Sequence, residues 1–190
     1  MQEREDSRGG GSGRMLTLIG GAVAGTFFVA TLLPVIKRRA YRVTTILKKD
    51  HRVVSGLFWT LQQTTNPHIR KSIFTQLQTQ LEIHAEAEEE VFYPAVRHLY
   101  TAAAGQQVDE ANREHRFIKE LCHRIAATDP NSYEFMSQVN ELKEKVEHHV
   151  EEEETEMFRL AHNNMSNDEL EHLGRRLHDR KLQIKQRIAA

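Results

Sequence analysis

His84-Ala-Glu-Ala-Glu88 and His149-Val-Glu-Glu-Glu153 are one phrase written twice, and their reading decides the fold. Each pairs a histidine with a glutamate four residues on, a spacing that puts both side chains on one face of an α-helix. A lone histidine precedes each phrase: His51 by 33 residues in the first copy, His115 by 34 in the second. A lone histidine, a stretch two helices long, then His-x-x-x-Glu is a metal half-site, present in duplicate.

All six residues continue an apolar 3–4 spacing. The series are Leu47, His51, Val54, Phe58, Leu61; then Leu77, Leu81, His84, Glu88, Val91. The second half gives Ala111, His115, Ile118, Cys122, Ile125, and then Phe135, Val139, Leu142, Val146, His149, Glu153. The polar groups therefore point into a helical core. A single histidine on such a stripe reads as a hydrogen-bonded structural residue; six matched positions on four helices do not. Buried His–Glu ion pairs would leave His51 and His115 without a role. Two buried carboxylates need compensating charge, and a metal pair supplies it.

Chain punctuation gives an all-α protein of four long helices and a shorter fifth. The first runs from about residue 40 to Thr64, before Asn66-Pro67. The second opens at Pro67, where proline suits a helix start, and reaches about Thr101 with a kink expected at Pro94. The third covers about 106–128 and the fourth Ser132 to His162. Ser166-Asn-Asp-Glu169 is a capping-box pattern that opens the fifth, to about Ile188. Connections this short predict an up-down-up-down four-helix bundle.

Lysine and arginine number 26 against 27 acidic residues. The basic field of a nucleic-acid binder is missing, so no nucleic-acid partner is expected. The single cysteine, Cys122, excludes an intrachain disulfide, fits a reducing compartment and reads as a small buried apolar residue.

Residues 1–14 are polar and glycine-rich and are expected to form a disordered tail. Residues 15–36 (MLTLIGGAVAGTFFVATLLPVI) run 22 positions without a charge. As a helix they span roughly 33 Å at 1.5 Å per residue, enough to cross a bilayer as a single anchor. A cleaved signal peptide is disfavoured by the acidic residues ahead of the segment and the lack of a small-x-small site before Lys37. Lys37, Arg38, Arg39 and Arg42 follow at once, so 37–46 reads as a basic juxtamembrane start of the first bundle helix and 47–188 as the metal domain. By the positive-inside bias that domain is cytoplasmic and the protein single-pass in the inner membrane. Gly21 and Gly25 share a face that would let two copies pack as a homodimer.

Four imidazoles and two carboxylates without a thiolate do not suit structural zinc. They are few for two octahedral metals, so open positions remain if both glutamates bridge. That composition suits non-haem iron and a small ligand such as dioxygen. The ferritin-like di-iron pattern needs paired Glu-x-x-His; here it occurs only at Glu120–His123 and Glu169–His172, unsuitably placed.

With these residues in hand, the chain resembles the hemerythrin family in its bacterial HHE cation-binding branch, over roughly residues 43–185. The matching stretches are Leu47-Lys-Lys-Asp-His51, His84-Ala-Glu-Ala-Glu-Glu-Glu-Val-Phe-Tyr-Pro94, Glu114-His115-Arg116 and His148-His-Val-Glu-Glu-Glu-Glu-Thr-Glu-Met-Phe158. The resemblance implies an up-down bundle around an oxo- or carboxylate-bridged di-iron centre. It implies that His51 and His84 ligate one iron, His115 and His149 the other, and that Glu88 and Glu153 bridge. Oxygen-carrying hemerythrins have a second histidine on the third helix, four residues from the first; here those positions hold Ala111 and Lys119. The last bridging carboxylate is Glu153 rather than aspartate. One iron should lose a ligand and gain an open position.

The expected function is that of a membrane-tethered non-haem di-iron protein binding O2, NO or peroxide at that position, for oxygen binding, sensing or stress response. Two alternatives stand beside it. One is a redox enzyme that reduces peroxide or releases iron for iron–sulfur repair; the other is a module whose iron occupancy regulates a partner's access. Repair members of the family carry a cysteine-bearing N-terminal segment where this chain has its apolar run, which weighs against repair. The remaining histidines take ordinary roles. His148 faces about 100° away from His149 and reads as a surface or supporting residue. His123 is peripheral, and His68, His98, His162, His172 and His178 are expected in solvent. Of Glu151–Glu154 only Glu153 is in phase with the core, and Trp59 is expected to pack the domain or its membrane-proximal end.

Overall fold

Asn66 and Ser166 show how local chemistry sets the helix boundaries of this computed structural model, which describes residues 41–99 and 101–190. The Asn66 side chain accepts from the backbone N–H groups of His68 and Ile69 at 3.0 and 3.2 Å, directly before Pro67. Ser166 and Glu169 form the full reciprocal capping box. The helices are α1 (Val43–Gln63), α2 (Pro67–Ala87), α3 (Tyr93–Arg97), α4 (Ala102–Ala126), α5 (Tyr133–Glu152), α6 (Phe158–Asn164) and α7 (Asn167–Ala189). The tail over 1–14, the anchor over 15–36 with Gly21 and Gly25, and the first part of the basic stretch lie outside the described residues. Among the described residues no helix is long and apolar enough to cross a membrane.

Three details differ from the sequence reading. The fifth helix, expected to be shorter, is α7 with 23 residues against 21 in α1, because its capping box starts it at Asn167 and no proline follows. Helix α4 starts earlier than 106, because the Thr101 hydroxyl caps the Ala104 N–H at 3.1 Å and the following alanines favour helix. The second helix does not owe its irregularity to Pro94. A π turn, Glu88–Phe92, joins α2 to α3, and a second, Glu153–Met157, joins α5 to α6. In each the carbonyl of the glutamate accepts from the N–H five residues on, Tyr93 in one and Phe158 in the other. The second turn has no proline after it, so the widening belongs to the duplicated pattern. Each π turn inserts one residue into the helical phase. Val91, Phe92 and Tyr93 can therefore all be buried in succession, as can Met157 and Phe158.

Helix α1 packs on α2, α4 on α5, α2 on α4 and α1 on α5, closing a four-helix bundle, while α7 lies against α1 and α2. Arg180 and Arg187 of α7 bond Glu86, and Lys181 bonds Asp50 at 2.5 Å. At Gly174 the helix comes so close to the Tyr41 carbonyl that any Cβ would collide with it. Buried apolar side chains form two clusters. One gathers Leu47, Ala87, Phe92, Ala111 and Phe158; the other gathers Val54, Leu81, Ile118, Phe135 and Val146. Along all four bundle helices the repeated histidines fall between the two clusters, so the bundle contains a polar layer between apolar floors. Trp59, expected to pack, is 65% exposed: its neighbour Phe58 occupies the inward position on α1.

Candidate metal centre

The helical phase brings all six residues of the duplicated phrase into that layer. His51, His84, Glu88, His115, His149 and Glu153 are each at most 7% exposed. Their contacts chain together. His51 Nε2 is 3.2 Å from Glu153 Oε2, and His84 Nε2 is 3.2 Å from Glu88 Oε2. His115 Nε2 is 3.5 Å from the same Glu88 oxygen and 3.1 Å from His149 Nε2. Two groups with ligand atoms mutually within 4.8 Å result: His51, His84, Glu88 and Glu153, and then Glu88, His115 and His149. Glu88 belongs to both.

A carboxylate from a neighbouring helix bonds three of the four imidazoles and faces the fourth. His51 Nδ1 bonds Glu154 Oε1 at 2.8 Å, His115 Nδ1 bonds Glu89 Oε1 at 3.0 Å, and His149 Nδ1 bonds Glu114 Oε2 at 2.9 Å. His84 Nδ1 faces Asp50 Oδ2 at a longer 3.6 Å. Each of these carboxylates is the sequence neighbour of a centre residue on its own helix. Asp50 beside His51 serves His84; Glu89 beside Glu88 serves His115. Glu114 beside His115 serves His149, and Glu154 beside Glu153 closes the circle on His51. With Nδ1–H donating outward at His51, His115 and His149, their Nε2 atoms turn lone pairs inward.

The layer is thus crowded with acceptors. His51 Nε2, His84 Nε2, Glu88 Oε1 and both oxygens of Glu153 are buried without a hydrogen-bond partner. Unpaired buried acceptors are costly, and two imidazole lone pairs 3.1 Å apart repel unless a cation or proton lies between them. The donor set fits iron: imidazole nitrogen and carboxylate oxygen around a small dry space.

Titration behaviour agrees. Burial, and then Glu153 beside it, push Glu88 well above the usual carboxylate range. Burial acts upward on Glu153 too, but His51, His149 and His84 outweigh it and hold that carboxyl low. Two carboxylates in one layer resist joint ionisation unless positive charge joins them. Burial pulls His84 down, and takes His115 down to about 4, so both favour the neutral form that ligates metal. His51 goes the other way: burial lowers it, but Glu153 and Glu154 more than compensate. Glu89 is pushed up by burial yet held at about 2 by His115 and Lys119.

Three further residues shape the site. The Tyr93 hydroxyl, in a fully buried ring, lies 3.2 Å from His115 Nε2 and 3.4 Å from Glu88 Oε2, a proton donor among acceptors. Lys119, one of the two positions for a missing histidine, turns away and bonds both oxygens of Glu89 at 2.8 and 3.0 Å. Ala111, the other, leaves space. A cavity of about 390 Å³ lies over it and reaches His149, Glu153 and Met157.

The sequence reading missed Tyr93, Asp50, Glu89, Glu114 and Glu154. A signal for the carboxylates existed, since each is an acidic residue adjacent to a repeat residue. Glu154, grouped there with a solvated face, is half-buried against His51. His148 is exposed, as expected.

The family described as Hemerythrin HHE cation binding domain matches residues 42–161. A DNA nickase of Nostoc sp. is 35% identical over 143 residues, which is 75% of this chain and 40% of that protein. An uncharacterized hemerythrin-like protein of Schizosaccharomyces pombe is 25% identical over 133 residues, 70% of this chain and 65% of that one. The chain therefore spans less than two thirds of either relative. A crystal structure of a hemerythrin HHE cation binding domain-containing protein from Mycobacterium kansasii superposes with a TM-score of 0.67 at 26% identity, covering 76% of this chain and 88% of that one.

Proposed function

Because the chain belongs to the hemerythrin HHE cation-binding family, we propose that its buried layer holds two iron ions for work on a small ligand such as O2, NO or peroxide. His51 and His84 would hold one ion, His115 and His149 the other, with Glu88 and Glu153 shared. The observation that carries this reading is the set of inward-facing acceptors with no donor to meet them. Bound iron supplies Lewis acidity and a redox couple.

The chain's own residues do the rest. Outward carboxylates fix the imidazoles, a device that usually contributes 10–100-fold in metal affinity, as an order of magnitude. The apolar clusters on either side exclude water. Ala111 lines the cavity, so a metal held beside it would keep a coordination position for a ligand that comes and goes. The Tyr93 hydroxyl offers a proton at His115 and Glu88, which supports peroxide chemistry as the second reading. The apolar run over 15–36 would tether this function to the inner membrane, with the metal domain in the cytoplasm. A nucleic-acid role, which the Nostoc relative's name raises, finds no basic field in a chain of net charge −1.

The test is metal analysis and an aerobic absorption spectrum of the full chain expressed with ample iron. Two irons per chain are expected, with near-ultraviolet charge-transfer bands that vanish in His84→Ala. An iron-free protein from such cells refutes the reading. Peroxide turnover above that of free iron, reduced in Tyr93→Phe, decides for the second.

A further inference from the structure

Outside the buried layer, Glu114, His148 and Glu152 bring ligand atoms within 4.8 Å of one another. His148 Nε2 stands 3.3 Å from Glu152 Oε1 and 3.7 Å from Glu114 Oε1. Glu114 faces two ways: its other oxygen, Oε2, holds His149 Nδ1 at 2.9 Å. It is also the least exposed of the three, at 15% against 59% for His148 and 46% for Glu152. The triad therefore steps from solvent to the wall of the metal layer.

Two of its three members also stand at an opening to the layer. Glu114 and Glu152 line the cavity of about 390 Å³ whose inner wall is His149 and Glu153. Six waters around a divalent cation need roughly 180 Å³ at about 30 Å³ each, so a hydrated ion fits. Glu110 and Glu156 line the cavity too, and its one cation, Arg113, is bonded to Glu110. At the inner end Glu153 is 2% exposed, and its carboxylate oxygens have no hydrogen-bond partner. A negative passage that ends on an unsatisfied buried carboxylate draws cations inward. The other large cavity touching the layer, of about 450 Å³, is lined by Glu147, Glu151 and Glu154 as well as Arg52, but of the six centre residues it reaches only His51, whose Nδ1 is already bonded to Glu154.

We propose that Glu114, His148 and Glu152 form a transfer site for divalent cations, through which metal is loaded into the buried layer. The proposal rests on the di-metal reading above. A cation arriving from water exchanges part of its shell for His148 Nε2, Glu152 and Glu114 Oε1. It then passes along the cavity floor to Glu153 and His149. Because Glu114 Oε2 stays on His149, holding a cation outside and orienting the inner imidazole are compatible.

Cobalt(II) alone, added to the metal-free full chain in a stopped-flow instrument, tests it through the visible bands of the bound ion. His148→Ala/Glu152→Gln should reach the same final amplitude as the natural chain, but about ten-fold more slowly. Glu134→Gln, which removes a charge at the far end of α5, should load at the natural rate. Equal rates in the double variant and the natural chain overturn the transfer site while leaving the buried centre standing. Equal slowing in Glu134→Gln overturns it as well, because net charge would then be the cause. No bound amplitude in any protein removes the buried centre and the transfer site together.

Discussion

Glu89 Oε1 lies 3.0 Å from His115 Nδ1 although its sequence neighbour Glu88 faces the opposite side of the same imidazole. Adjacent residues on one helix thus hold a single ring from both edges. Glu89→Gln keeps the shape but removes the charge that both His115 and Lys119 contact. Metal affinity should fall about 10–100-fold, measured by competition with a chromophoric chelator. Unchanged affinity would mean that the ring is held by packing alone.

Tyr93→Phe removes one buried hydroxyl and leaves the ring in place. The metal-free protein should lose about 1 kcal/mol, read from urea unfolding, because the His115 and Glu88 contacts at 3.2 and 3.4 Å disappear. No change in midpoint would show that the hydroxyl serves only the bound ligand.

Ala111→His places an imidazole one turn before His115, facing the cavity. Azide, used as a probe of the open position, should bind at least about ten-fold more weakly while metal content stays constant, since one coordination site is then filled. Equal azide titrations for both proteins would put the free position elsewhere.

Gly174→Ala drives a methyl group into the Tyr41 carbonyl. Backbone cannot yield as a side-chain tip can, so α7 must shift. A loss of about 1–3 kcal/mol is expected in urea unfolding. A neutral result would show that residue 41 is free to move.

Cys122 is buried, and burial together with Glu82 pushes its thiol up from 9.0 to about 12. The folded chain keeps this proton where the unfolded chain releases it, so the contribution to stability is whole below pH 9 and is lost as pH rises toward 12. At pH 9 only about one thiol in a thousand is ionised in the fold. Iodoacetamide labelling at pH 8–9 should therefore proceed only through unfolding, at a rate that falls as the protein is stabilised. Rapid labelling of the native state would contradict this.

The six centre residues were legible because each occupies a position on an apolar 3–4 stripe where a polar residue is out of place. Duplication made the pattern hard to produce by chance. Asp50, Glu89, Glu114 and Glu154 were not legible in the same way. Each lies about 100° around the helix from its stripe, where a carboxylate looks like any solvated charge until the neighbouring helix is in position. The π turns at Glu88 and Glu153 left no propensity signal, and Pro94 offered a misleading one. The third helix is expected from about 106, yet Thr101 caps it and Gly105 lies within it, where an added Cβ would meet only open space.

The circle of carboxylates carries a lesson for anyone who would transplant this centre. Every rod in the bundle presents an acid to the next and faces one from the last, three of the four through a hydrogen bond and Asp50 to His84 by proximity. Copying the six metal-facing side chains into another scaffold without Asp50, Glu89, Glu114 and Glu154 would leave rings free to spin. The smallest portable unit is the whole loop.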